Sequence, residues 1–125
     1  MASTYEDQEA VQLGTTLADG HAHLDQYPSQ EVPGILERAQ AAGVGLVVTA
    51  GTTLESSRAC IALAQRYPMV HAGVGLHPMD LTGTVDENTW VELRRLAAEK
   101  PKVVMISEVG LDFAPGRPPR ELQEE

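Results

Sequence analysis

The run "GVGLVVTAG", Gly43 to Gly51, is where the fold becomes legible. Its apolar residues are continuous and do not alternate with polar ones. A strand with one wet face alternates, whereas a strand covered on both faces does not need to. Such strands belong to parallel sheets clothed by helices. Working outward, "EVPGILERAQAAG" (31–43) places Val32, Ile35, Leu36 and Ala39 at helical spacing. Pro33 suits the first turn of that helix and Gly43 its stop. On the other side, "TTLESSRACIALAQRYP" (52–68) reads as a second helix, with Thr53 as N-cap and Cys60, Ile61 and Ala64 on one face. Pro68 ends it.

The same alternation continues in both directions. "MVHAGVGLHP" (69–78) reads as a strand ending in His77-Pro78. "TVDENTWVELRRLAAEKP" (84–101) reads as a helix opened by a capping box from Thr84 to Glu87. It is expected to bury Trp90, Leu93, Leu96 and Ala97 and to stop before Pro101. "KVVMISEVGLDF" (102–113) reads as a fourth strand, followed by a loop and the start of a helix at Arg120. Upstream, "GTTLADGHAHL" (14–24) gives a first strand over Thr15 to Gly20. The fold class is therefore α/β, with alternating βα units and a parallel sheet. No GxGxxG or GxxxxGK pattern follows any strand, which disfavours a dinucleotide or P-loop site. The other repeating βα fold, the (β/α)8 barrel, needs roughly 250 residues. This chain has 125, about half of that.

Composition narrows the function. Nine basic residues stand against 18 acidic ones, a net charge of −9, which argues against a broad basic surface for nucleic acid. A metal can still supply local positive charge to a phosphate substrate. Residues 1–14 are polar and acidic and are expected to form a flexible tail, with no signal-peptide pattern. No apolar run is long enough for a membrane span. Cys60 is the only cysteine, so no disulfide forms within the chain and a reducing, cytoplasmic setting is expected.

The chemistry concentrates at the strand ends. In "ADGHAHLDQYP" (18–28), His21 and His23 are two residues apart, so on an extended strand they share a face. Two imidazoles so placed suit one metal ion; the alternative is a pair of exposed loop histidines. His77 ends the third strand, as a site residue or as the start of a turn before Pro78. Glu108 ends the fourth, directly after "VVMIS", where a partly buried carboxylate is costly without a cation. Its alternative is a buried salt bridge. All four residues fall at C-terminal strand ends, the edge where βα folds build their sites. Asp19, Asp25 and Asp112 are candidates to orient the ligands from behind, or to cap turns. His71 lies at the opposite end of its strand and reads as structural. Arg117 and Arg120 could meet a phosphate, but read first as surface charge. Cys60 has no cationic neighbour pattern and reads as packing. Histidine pairs with a carboxylate suit zinc, manganese or similar ions, and a bridging carboxylate suits two of them. Such sites support hydrolysis.

Three segments, in order, resemble a known family. "DGHAHLD" (19–25) resembles the D-x-H-x-H-L-D motif of the TatD-related metal-dependent hydrolases of the amidohydrolase superfamily. "GVGLHPMD" (73–80) resembles the family's G-x-H-P segment, and "ISEVGLDF" (106–113) its G-E-I-G-L-D-Y segment. Ser107 stands where a glycine is usual. The resemblance implies a (β/α)8 barrel holding one or two divalent metals (Zn, Mn or Mg), and a deoxyribonuclease cleaving phosphodiester bonds of DNA. It implies that His21 and His23 hold one metal, that Glu108 bridges two, and that His77 approaches the substrate phosphate. In the family two further histidines and an aspartate come from later strands. After Glu108 this chain has no histidine. Residues 15–125 are therefore expected to be a truncated TatD-like domain, the N-terminal half of the barrel, carrying part of the site. Two other readings remain: a non-catalytic half-barrel that self-associates through its open sheet edges, and a metallohydrolase acting on amides or lactones. No lysine ends the fourth strand, which disfavours the carbamylated-lysine branch of that last class.

Overall fold

The computed structural model describes residues 17–125. The expected tail at 1–14, and Thr15 and Thr16 of the expected first strand, lie outside the described residues. Four strands form one parallel sheet in the order β1 (Leu17–Ala22), β2 (Val44–Ala50), β3 (Val70–Val74), β4 (Val103–Ile106). Helices α1 (Val32–Ala41), α2 (Leu54–Arg66) and α3 (Glu87–Glu99) connect them, and a short α4 (Arg120–Gln123) follows. The α/β class and the parallel order agree with the alternation of apolar runs and amphipathic stretches.

The local reasons are legible in the helices. Pro33 stands in the first turn of α1, and Gly43 turns the chain into β2 at φ +90°. Thr53 caps α2 by accepting the Ser56 N–H, and the Ser56 hydroxyl accepts the Thr53 N–H. Val32 and Leu36 of α1, Cys60, Ile61 and Ala64 of α2, and Leu93 and Leu96 of α3 are buried in one core. That core sits on the sheet face to which Val70, Ala72 and Val74 of β3 point. Each large aliphatic side chain buried there contributes about 1.5–3 kcal/mol. β2, between two neighbours, buries Val47, Val48, Thr49 and Ala50, whereas Leu46 in the first half of its apolar run is 37% exposed.

Several boundaries differ from expectation. β1 runs to Ala22 and not to Gly20, because parallel pairing with β2 holds the backbone through Ala22↔Thr49. β3 stops at Val74, three residues before His77, since the His77 N–H leaves the ladder and donates to the Thr52 carbonyl at 2.8 Å. β4 stops at Ile106, because Glu108 adopts φ +56° and cannot continue a strand. α3 is capped by Asp86, which accepts the Asn88 N–H at 3.0 Å, while the Thr84 hydroxyl turns to Glu125. Trp90 is 40% exposed and not buried. It lines an apolar cavity of about 390 Å³ with Leu76, Val109, Leu111 and Leu122.

Candidate metal centre

Three side chains from opposite edges of the sheet converge at its C-terminal end. His21 is the penultimate residue of β1, and its N–H donates to Asp19 Oδ1 at 3.0 Å. His23 stands just past the strand, before a 3-10 turn over Leu24–Gln26. Leu24 anchors that turn: its side chain is buried, and its N–H donates to the buried Thr49 hydroxyl at 3.0 Å. The two imidazoles lie with centroids 5.1 Å apart, at 72° to one another. Glu108 comes from the end of β4, 87 residues along the chain from His21. Its side chain is 13% exposed. Glu108 Oε1 meets His21 Nε2 and lies 3.3 Å from His23 Nε2. One ligand atom from each of His21, His23 and Glu108 falls within 4.8 Å of the others, a spacing that one ion can span.

The hydrogen bonds sort the histidines. His23 Nδ1 lies 2.9 Å from the Ala50 carbonyl, which can only accept. Nδ1 therefore carries the proton, and the Nε2 lone pair is free to face an ion. His77 is held the opposite way. Its Nδ1 accepts the Met79 N–H at 2.9 Å, so the neutral ring carries its proton on Nε2. That nitrogen lies 3.6 Å from Glu108 Oε2, beside the cluster, and is a donor rather than a ligand. The imidazoles of this donor set suit zinc, and its carboxylate also suits a harder divalent ion such as manganese.

The three aspartates separate. Asp19 supports the His21 backbone. Asp25 is turned to the other side of its turn, towards Cys60, and its buried Oδ1 has no hydrogen-bond partner. Asp112 organises the loop after the site. It accepts the Ala114 N–H at 3.0 Å and pairs with Arg117 Nε at 2.6 Å. Those two donors, the Ala114 N–H first, hold its carboxyl below the usual range. Arg120 pairs with Glu124 at 2.8 Å, a surface contact. Cys60 is buried on α2, and burial pushes its thiol up to about 12.

Sequence reading missed the residues that make the convergence possible. Gly51 and Gly75 follow the ends of β2 and β3. A Cβ on Gly51 would overlap Ser57, and one on Gly75 would overlap the Ser107 carbonyl oxygen. Ser57, itself buried, accepts the Gly75 N–H at 3.2 Å. The available signal was the glycine directly after each of these two apolar runs, which marks a close backbone approach.

Comparison with known proteins places the chain in a family. A family model for TatD-related DNases matches residues 18–125. A Mycobacterium tuberculosis protein named "uncharacterized metal-dependent hydrolase TatD" is 40% identical over 105 residues, 81% of this chain and 39% of the relative. A Cronobacter turicensis protein named "3'-5' ssDNA/RNA exonuclease TatD" is 44% identical over 79 residues, 63% of this chain and 29% of the relative. The crystal structure of YjjV, a TatD homolog from Escherichia coli K12, superposes with a TM-score of 0.70 at 34% identity. The match covers 78% of this chain and 38% of that one. The chain thus spans about two fifths, or less, of the length of these relatives. Its four βα units correspond to part of a (β/α)8 barrel. Three motifs in order, the parallel sheet that carries them and a family match over nearly all described residues lead to one assignment: the chain belongs to the TatD-related DNase family.

Proposed function

We propose that this chain supplies the first part of the active site of a metal-dependent phosphodiesterase acting on nucleic acid. His21, His23 and Glu108 hold a divalent ion, with Glu108 positioned to bridge to a second. His77 donates from Nε2 to a phosphate oxygen of the substrate. The observation that carries this reading is the convergence of the three ligand atoms within 4.8 Å, from strands at opposite edges of the sheet. When bound, the ion supplies the Lewis acidity and positive charge that phosphodiester hydrolysis needs. The residues then divide the remaining work. The Ala50 carbonyl orients His23, the Met79 N–H orients His77, and Glu108 holds Oε1 towards His21 and His23 and Oε2 towards His77. The bound cation also answers the chain's net charge of −9, which would otherwise repel a polyanion.

Relatives named as 3'-5' ssDNA/RNA exonucleases make single-stranded nucleic acid the substrate to test. The single buried cysteine is in keeping with a reducing compartment, and the cytoplasm is the setting we propose. No helix among the described residues is long and apolar enough to cross a membrane. Exposed Leu17, Val104 and Ile106 on the two edge strands favour association of those edges with further protein, a second copy included.

The test pairs metal binding with cleavage. The full chain and Glu108→Ala are titrated with Zn²⁺ and Mn²⁺, and 5'-labelled single-stranded DNA and RNA are followed for shortening with each ion. Metal bound by the wild type, lost in Glu108→Ala, with metal-dependent shortening lost alongside it, supports the reading. Metal binding without cleavage of either nucleic acid keeps the metal centre and shows that these residues do not suffice for hydrolysis.

A further inference from the structure

We propose that Ser107 is a positioning residue for the metal ligand beside it, and that the end of β2 is the template on which both halves of the metal centre are set. The inference rests on the reading of His21, His23 and Glu108 as ligands. Two consecutive carbonyls carry it. The Ala50 carbonyl accepts from His23 Nδ1 at 2.9 Å, and the next one, Gly51, accepts from the Ser107 hydroxyl at 3.1 Å. One rigid strand end therefore holds the ligand arriving from β1 and the residue preceding the ligand from β4.

Ser107 is clamped on every side. It is 4% exposed. Its N–H donates to the Val74 carbonyl at 2.9 Å, and its own carbonyl presses against Gly75 where no Cβ could fit. Space for its hydroxyl comes from Gly73, whose Cβ, if present, would lie 2.9 Å from Ser107 Oγ. With residue 107 held this way, the chain emerges into Glu108 at φ +56° and the carboxylate is directed at the histidines. A glycine at 107 would keep the backbone contacts and lose the tie to Gly51. Partners that orient a ligand from behind commonly change metal affinity when removed.

The experiment titrates Zn²⁺ and Mn²⁺ into the full chain, Ser107→Ala and Ser107→Gly by calorimetry, and records thermal unfolding of each protein without metal. Cobalt(II) absorption spectra report the ligand geometry. Ser107→Ala and Ser107→Gly are each expected to weaken metal binding about tenfold, with an altered cobalt spectrum. Gly73→Ala, whose Cβ would crowd Met105 Cε together with the Ser107 Oγ and Cβ, is expected to weaken binding in the same direction. Wild-type affinity and spectrum in Ser107→Ala, whatever its melting temperature, would overturn the proposal and leave Ser107 as a brace of the sheet. A wild-type chain that binds neither ion would overturn the metal-centre reading as well.

Discussion

Glu108 sits in the left-handed region of backbone space, at φ +56°. For a residue with a Cβ that conformation costs roughly 1–2 kcal/mol. Strain of this kind persists where the surroundings over-determine it, and here those surroundings are Ser107, Gly75 and the histidines. Metal binding should disappear in both Glu108→Gly and Glu108→Ala. The glycine variant should be the more stable of the two by about 1 kcal/mol in denaturant unfolding, because glycine adopts that backbone freely. Equal stabilities would mean that the backbone there is relaxed. His77 calls for the opposite test. His77→Gln should leave Zn²⁺ affinity at the wild-type level and slow nucleotide release at least about tenfold, the effect of losing one hydrogen bond to a charged group. Loss of metal along with it would make His77 a ligand. The histidine pair and Glu108 could be picked out by spacing and by the oddity of a carboxylate after an apolar run. That His77 carries its proton on Nε2 could not, because it depends on which of its nitrogens the Met79 N–H occupies.

Elements were predicted better than their ends. The three helices and four strands follow from periodicity, but β3 and β4 are shorter than their apolar runs. Glycines and a positive φ release the chain from the ladder before the apolar residues are exhausted. The loop after β4 depends on Asp112. Its lowered folded value means that its contribution to stability is present above pH 3.8 and is lost as pH falls below that through the folded value. Asp112→Asn should thus be less stable than wild type at pH 7, and the difference should vanish in acid unfolding curves. On α2, Cys60 is pushed by burial from 9.0 to about 12. Iodoacetamide at pH 8 should leave the native protein unmodified and label it on unfolding. Rapid native labelling would show that α2 opens readily. The raised value also means that this group's contribution is full below pH 9 and fades as pH rises towards 12.

At the scale of the whole molecule, the sheet has two edge strands among the described residues, and each exposes a large apolar side chain. Leu17 on β1 is 57% exposed, and Val104 and Ile106 on β4 are 57% and 59% exposed. Edge backbone groups beside such side chains are templates for further pairing. Sedimentation of the chain should therefore depend on concentration, and Val104→Lys should shift it towards the monomer. Sedimentation independent of concentration in the wild type would show that these edges do not associate.

What the sequence by itself determined is local in origin. Periodicity in short windows set the alternation of strands and helices. The continuous apolar run of β2 implied a parallel sheet clothed by helices, and residue spacing placed His21, His23 and Glu108 at C-terminal strand ends; that the helices cover one face and leave Val104 and Ile106 exposed was not legible there. The tertiary structure alone decided how those ends meet. His21 and Glu108 touch across 87 residues because parallel pairing brings β1 and β4 to the same end of one sheet. Asp25 faces Cys60 on α2, and Trp90 lines a cavity with Val109, Leu111 and Leu122, neighbours remote in sequence. Ser107 acquires its place through such a neighbour: its partner carbonyl lies 56 residues away, just past the end of β2, where no local window reaches.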